Sequence, residues 1–293
     1  MHVYLDLVRE VLAKGTRKEN RTGVDTISTF NVNYEIDLRE GFPLLTTKEI
    51  SWKNIVVENL WFLSGDTHIG ILQKHKCKFW DPWVDQNGRV PSAYGNFWRS
   101  FPIHDEHGRA AYTDQLAWVL GELRRNPMSR RLVVTAWAPG NAQTSRLPPC
   151  HCMFVFNVQI DRTGDELLCL HLTQRSCDVA LGIPYNIAGY CLLLELFSRF
   201  TGIRAGIFAH TLVDAHVYTS KPDGSMSEYD HVPGLVRQLE REPRPLPTLA
   251  IDPSIRSLED IEPLLTASTE TVLGHFVLSG YHPHPPITFK VAV

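Results

Sequence analysis

Pro184 opens the longest apolar run of the chain, Tyr185 to Phe200, and this run narrows the architectures open to it. Proline fits the first turn of a helix, where the N–H it lacks would have no partner anyway. Glu195 and Arg199 stand one helical turn apart, which favours a helix over a strand. A helix that is apolar over most of its surface has to be enclosed by other elements. It also carries too many polar residues to span a membrane. The expectation is a central helix within a layered domain.

The flanking patterns supply the layers. Tyr4, Val8, Val11 and Leu12 fall at helical spacing within residues 3–14. A β-rich stretch follows from Ile27 to about Leu38, between Gly23 and Gly41. Ser51 through Leu63 reads as a mostly buried helix, because Trp52, Ile55, Val56, Leu60 and Phe62 are too dense for an exposed one. Gly65 stands where it would stop. Residues 112–125 form an amphipathic helix ending in Arg124-Arg125, before Asn126-Pro127. Strands are predicted at Arg131–Trp137, His151–Ile160, Leu167–Thr173, Gly206–Leu212, Thr248–Ile251 and Thr288–Val293. Helices and strands mix without regular βαβ alternation, so the class is α+β. No repeat, low-complexity tract or linker divides the chain, which predicts one domain over residues 1–293.

A formal net charge of -3 argues against broad binding to DNA or other nucleic acid, which needs a cationic surplus. Any anionic ligand must be held by a local cluster of Arg or Lys. No stretch is long and apolar enough for a membrane, and Met1-His2-Val3-Tyr4-Leu5-Asp6 brings charge too early for a signal sequence. A cytoplasmic protein is expected. Cys77, Cys150, Cys152, Cys169, Cys177 and Cys191 are few and irregularly spaced, as reduced thiols would be. Cys150-His151-Cys152 is too tight for a zinc knuckle, and no metal site is expected.

Several residues could carry chemistry. In Leu147-Pro148-Pro149-Cys150-His151, two prolines fix the backbone before a cysteine that opens an apolar strand. A cysteine can be a nucleophile when positive neighbours help its thiolate form; it can equally be a buried packing residue. Arg21, the pair Arg130-Arg131, and Arg175 with Ser176 could hold phosphate through paired hydrogen bonds, or could be solvated charges. Arg175 interrupts a segment that otherwise reads as buried strand, and a charge there needs a partner. Asp178 and Asn186 flank Leu181-Gly182-Ile183-Pro184-Tyr185, and an Asn amide offers the donor and acceptor that a pyrimidine edge requires. His216 and Tyr218 would share one strand face and could reach a sugar hydroxyl, or serve the core. Glu58 lies in an apolar helix, where burial raises a carboxyl pKa and suits acid/base work.

Taken together, these residues resemble the thymidylate synthase family from Arg21-Thr22-Gly23 to Val291-Ala292-Val293. The matching segments keep the family's order. They include Gly41-Phe42-Pro43-Leu44-Leu45-Thr46-Thr47-Lys48, Glu58-Asn59-Leu60-Trp61-Phe62-Leu63-Ser64-Gly65, Trp80-Asp81, Tyr94-Gly95 and Ser129-Arg130-Arg131. Pro149-Cys150-His151, Gln174-Arg175-Ser176, Leu181-Gly182-Ile183-Pro184-Tyr185-Asn186, Asp214-Ala215-His216-Val217-Tyr218 and Tyr281-His282-Pro283-His284-Pro285 follow.

The resemblance implies a mixed sheet packed with helices, with the sheet at the interface of a homodimer. It implies that dUMP is methylated with 5,10-methylenetetrahydrofolate as cosubstrate. Cys150 would add to C6 of dUMP. Arg21, Arg175 and Ser176 would hold its phosphate, joined by Arg130 and Arg131 of the other subunit. Asn186 would read the uracil, and His216 and Tyr218 the 3′-hydroxyl. Glu58 and Tyr94, with Asp178 and Asn186, would complete the catalytic set. Phe79, Trp80, Trp83, Leu147, Asp178, Leu181, Gly182 and Tyr185 would line the folate pocket, and Val293 would close over it.

The chain departs from the family pattern in places. Tyr185 stands where the family has Phe, Phe97 replaces a Gln, and Val90-Pro91-Ser92-Ala93 replaces the usual entry to Tyr94. Val213 replaces a Gly, and Glu49 replaces a basic residue, which weakens the case for a polyglutamylated folate. Residues 221–233 form a longer connection than usual. Hydroxyls at Ser92 and Tyr185 are the kind of change that could order a water, which keeps a dUMP hydroxymethylase as the alternative. Asn186 argues against the cytidylate version of that enzyme. A noncatalytic nucleotide- or RNA-binding relative is the third reading, and intact Cys150, Glu58, Asn186 and Asp178 argue against it.

Overall fold

In this computed structural model, which describes residues 1–292, the chain opens with α1 (His2–Lys14), buried along Tyr4, Leu5, Val8 and Val11. The strands β1 (Thr16–Lys18) and β2 (Asp25–Asp37) follow, then α2 (Trp52–Ser64), α3 (Gly70–Lys74) and α4 (Tyr94–Arg99). A hairpin, β3 (Phe101–His104) and β4 (Ala110–Thr113), leads to α5 (Gln115–Arg125). The strands β5 (Val133–Thr135), β6 (His151–Ile160), β7 (Glu166–Gln174) and β8 (Cys177–Asp178) precede α6 (Gly182–Thr201) and β9 (Arg204–Thr219). Beyond them lie α7 (Val232–Leu239), β10 (Thr248–Ile251), α8 (Ile261–Leu265), α9 (Thr269–Gly274) and β11 (Phe276–Ser279).

The principal sheet runs β1-β2-β9-β7-β6-β5, with β8 added to β9. Its pairs are antiparallel except β7–β9 and β8–β9, which are parallel. Parallel neighbours cannot be joined by a tight turn, so the chain must cross over, and α6 is that crossover. This explains why the run after Pro184 is apolar nearly all round: Ile187, Leu193, Leu194 and Phe197 are buried in the core. Phe197 stacks on Phe156 of β6 with centroids 4.5 Å apart. Truncating such a side chain to Ala costs about 3–5 kcal/mol.

Alternation along the strands sets the faces. Phe154, Phe156 and Val158 of β6 point to the helical layer, while Met153, Val155 and Asn157 point the other way. That second face also carries Val133, and near its edge Phe30 is 81% exposed.

Helix α2 is capped at its start by Ser51, whose hydroxyl accepts from the Asn54 N–H at 3.4 Å, and it ends at Gly65 in a left-handed conformation with φ 76°. Any side-chain carbon at Gly95 would overlap the Phe62 carbonyl, so α4 crosses α2 at a separation only glycine permits.

The structure bears out α+β, and β6 and β10 carry the predicted limits. It also corrects several expectations. Residues 288–292 form no strand; the extended residues 281–292 are bonded to other parts of the chain one group at a time, with no ladder. The strand expected at Gly206–Leu212 continues to Thr219, because its polar half faces a cavity rather than the core. Arg131–Trp137 shrinks to Val133–Thr135. Helix α5 starts at Gln115, where the Asp114 carboxylate accepts from the Ala117 N–H at 2.9 Å; Tyr112 belongs to β4. Val293 lies outside the described residues, as does its expected closure over the folate pocket. No helix among the described residues is long and apolar enough to cross a membrane.

Candidate active site

Cys150 sits where β6 begins, and two neighbours fix its backbone. Its carbonyl accepts from the Arg175 N–H at 2.9 Å, and its own N–H donates to the Tyr94 hydroxyl oxygen at 3.1 Å. The Arg175 guanidinium donates to the carbonyls of Pro149 at 2.9 Å and Pro148 at 2.8 Å. The two prolines have no N–H with which to form a ladder, so their carbonyls are free to take this charge. Arg175 also lies 5.4 Å from the Trp137 ring centroid. The partners that a part-buried arginine demands are therefore present.

The Cys150 side chain opens on a cavity of about 240 Å³. Lys18, Arg21, Arg175 and Ser176 line it, with His216 and Tyr218 from the far end of β9. Asp214 lies among these cations but is already engaged: it accepts from Lys18 at 2.9 Å and from the Ser28 hydroxyl at 2.8 Å, and His216 Nδ1 lies 3.3 Å from it. Those contacts, His216 foremost, hold its carboxyl well below the usual range. It remains anionic and anchors Lys18. Burial pushes the Cys150 thiol up, while Arg175 and Arg21 pull it down and Ser176 adds a hydrogen bond. The balance is upward, because burial outweighs the two guanidinium groups of this chain that lie near.

A second cavity, of about 160 Å³, shares Leu147 with the first. Its wall is aromatic, with Phe79, Trp80, Trp83 and Tyr94, and it includes Glu58, His151 and Asn186. Burial lifts the Glu58 carboxyl to about 7, although the Trp80 indole N–H donates to it at 2.7 Å and opposes the rise. His151 stacks on Tyr94 with centroids 4.4 Å apart, and burial drives its imidazole down to about 3, so it is neutral at physiological pH. Beside this wall is a small pocket of about 20 Å³ bounded by Glu58, His151, Asn186 and Tyr190. That is room for about one water. His151 Nδ1 and the Tyr190 hydroxyl, both on its boundary, are buried without protein partners.

Asn186 is oriented from behind by a buried chain. The Tyr34 hydroxyl meets His210 Nδ1 at 2.7 Å, His210 Nε2 meets Gln174 Oε1 at 3.0 Å, and Gln174 Nε2 donates to Asn186 Oδ1 at 3.1 Å. Because Gln174 Oε1 can only accept, His210 carries its hydrogen on Nε2 and accepts from Tyr34. Held through its oxygen, the Asn186 amide borders the aromatic cavity.

The structure thus brings Cys150, Arg21, Arg175, Ser176, His216 and Tyr218 around one cavity, and Glu58, Tyr94, Asn186, Phe79, Trp80, Trp83 and Leu147 around the next. Tyr185 borders the small pocket and packs edge-on against Phe79, centroids 4.9 Å apart. Asp178, Leu181 and Gly182 are not on either wall; they sit behind Asn186, where the Asp178 carboxylate accepts from the Ala180 and Leu181 N–H groups at 2.9 and 3.0 Å. Arg130 and Arg131 are exposed beside β5 and reach neither cavity. Sequence reasoning missed Lys18, Asp214 and His151 as site residues. Asp214 stands two residues before His216, the spacing that already placed His216 with Tyr218, and could have been found from it. Among the described residues no group of three or more His, Cys, Asp or Glu is placed to hold a metal ion.

Comparison with known proteins agrees with this geometry. The family described as Thymidylate synthase matches residues 2–293. A thymidylate synthase from Haloferax volcanii is 42% identical over 345 aligned positions, which cover 98% of this chain and 95% of that protein.

Proposed function

Since the chain belongs to the thymidylate synthase family, we propose that it methylates dUMP to dTMP, with the residues of the two cavities dividing the work. The observation that carries this reading is the position of Cys150, on a cationic cavity that meets an aromatic one containing a near-neutral carboxyl. 5,10-Methylenetetrahydrofolate, bound on the aromatic side, supplies the one-carbon unit and the hydride.

Arg21, Arg175 and Ser176 hold the phosphate of dUMP, and His216 and Tyr218 meet the 3′-hydroxyl. Asn186, oriented through Gln174, reads the base. Cys150 adds to C6, which turns C5 into a nucleophile and divides one hard step into two easier ones. Glu58, with a pKa near the working pH, can both take and return protons. The small pocket beside it suits a water that links Glu58 to His151 and Tyr190. The wall of Phe79, Trp80, Trp83 and Tyr94 gives the folate a surface on which to stay against the pyrimidine, which favours hydride over water.

The neighbours of the two hydroxyls that suggest a hydroxymethylase lend support to hydride transfer instead. The Tyr185 hydroxyl faces the Ser51 N–H at 3.5 Å, at the head of α2. Ser92 lines a neighbouring cavity on the other side of Trp83, with Pro91, Asn141 and Arg146.

We further assign Arg130 and Arg131 to the phosphate site of a second subunit. The outward sheet face, with Met153 and Val133 exposed, supports a homodimer formed there. Two more guanidinium groups at the phosphate would help the Cys150 thiolate form. Incubation with dUMP and methylenetetrahydrofolate tests the whole reading. It should yield dTMP matched mole for mole by dihydrofolate absorbance. A product one oxygen heavier than dTMP, without that absorbance, overturns it in favour of the hydroxymethylase.

A further inference from the structure

Residues 221–233 follow the site strand β9 and have no part in the chemistry above. They include His231, which is 1% exposed and opens α7. His231 Nε2 lies 2.9 Å from the Lys290 carbonyl oxygen. A carbonyl only accepts, so Nε2 carries the hydrogen and donates. Nδ1 is buried without a hydrogen-bond partner and is turned toward Asp178, with Oδ1 4.0 Å away. The backbone N–H of His231 donates to the Tyr218 carbonyl at 3.0 Å. One residue thereby touches the sugar-binding strand, the carboxylate at the head of α6, and the extended segment 281–292.

The same connection grips that segment from outside. Lys290 Nζ lies 3.4 Å from Glu228 Oε1 and 4.1 Å from the centroid of the Tyr229 ring. Both contacts are exposed to solvent and therefore weak. The His231 bond is the buried one, and losing it would strand the Lys290 carbonyl. Phe289 packs on His231, centroids 4.9 Å apart, and covers Lys48 Nζ at 4.7 Å. Lys48 in turn donates to the Ala180 carbonyl at 2.5 Å, beside Asp178. A continuous path of contacts thus runs from the 221–233 connection, through Phe289 and Lys290, to the loop that carries Asp178, Leu181 and Gly182.

We propose that His231 is a positioning residue for the folate-dependent half of the reaction: it clamps residues 289–290 and, through them, sets the loop at 178–182. The proposal rests on the function above, and its test separates the two. Full-length His231→Leu and His231→Gln are compared with the parent protein. Hydrogen–deuterium exchange of residues 281–292 is read without ligands, and KM for methylenetetrahydrofolate and kcat are read in turnover. Folate-free exchange of the dUMP C5 hydrogen with solvent, which needs only addition of Cys150 at C6, protonation at C5, loss of the original C5 proton and departure of Cys150, reports on the nucleotide side alone.

In His231→Leu, amide exchange in 281–292 and the folate KM should each rise about tenfold, with C5 exchange within about twofold of the parent. His231→Gln, which keeps a donor at similar reach, should recover most of both losses. Unchanged amide exchange, loss of C5 exchange in parallel with dTMP formation, or no recovery in His231→Gln would each overturn the proposal. If His231→Leu does not fold, Phe289→Leu carries the test, since it removes the ring that packs on His231 and covers Lys48. It must speed exchange in the same segment by a smaller factor, and no change would overturn the clamp. A parent protein that makes no dTMP would refute the functional reading while leaving the exchange result to judge the clamp.

Discussion

Replacing Trp80 with Phe should move the pH dependence of turnover upward. The Trp80 indole N–H donates to Glu58 at 2.7 Å, and it opposes a burial that has already lifted the carboxyl to about 7. A hydrogen bond to a charged group is worth about 1.5–3 kcal/mol, and one pKa unit corresponds to about 1.36 kcal/mol. Removing the donor leaves the carboxylate buried with less support, so the Glu58 midpoint should rise by about one to two pH units. The direction is the same whether Glu58 acts as base or acid. If its carboxylate is the active form, the acid limb of kcat moves alkaline; if its acid form is active, the alkaline limb does. Phe retains most of the packing with Trp61, Phe62 and Tyr94. The assay is dTMP formation from pH 5 to 10 at saturating dUMP and folate, so that any weakening of folate binding drops out. A limb that stays in place, or moves toward acid, would refute the assignment of Glu58 as the titrating group.

Cys150→Ser should abolish turnover while dUMP binding, measured calorimetrically, stays within about tenfold, because a hydroxyl is far less ionised than a thiol and the phosphate contacts lie elsewhere. Mixing inactive Arg130→Ala/Arg131→Ala protein with inactive Cys150→Ala protein should restore some activity, since one site of the mixed dimer is then whole; no recovery after proven subunit exchange argues against shared sites. Asn186→Asp should shift use from dUMP toward dCMP, because losing a matched buried pair costs about 1–3 kcal/mol, or tenfold and more in preference. Competition between the two nucleotides measures it, and an unchanged preference means the base is read elsewhere.

The apolar run after Pro184 was legible as a central helix because a crossover between parallel strands is buried on nearly every side. β6 was legible from period-two alternation between turn residues. The second half of β9 was not, because Asp214, His216 and Tyr218 face a cavity and break the apolar pattern that marks a strand. Thr288 to Val291 misled in the opposite direction: β-branched and aromatic residues promise a strand, yet nothing lies alongside to pair with them. Propensity reports what a backbone tolerates, and pairing depends on neighbours far away in the chain. Most of the residues that line the two cavities were nameable from motif order. The upward push on Cys150 was not, since desolvation depends on how tightly three distant segments close around one thiol.

The place of β9 between β2 and β7 has a consequence for biosynthesis. Before residue 219 leaves the ribosome, β1–β2 and β7–β6–β5 are two separate ribbons, each with an unpaired edge. The strand that joins them is the last of the sheet to be translated, and it pairs with β2 from Asp25↔Thr219 to Asp37↔Ile207. Pairing across so long a stretch of chain is entropically slow. During that interval the nascent protein exposes edges on which another chain can template, and it has no phosphate cavity, because one wall of that cavity is β9 itself. Slow elongation through the first two hundred residues therefore lengthens the hazardous state, and brisk passage through β9 ends it.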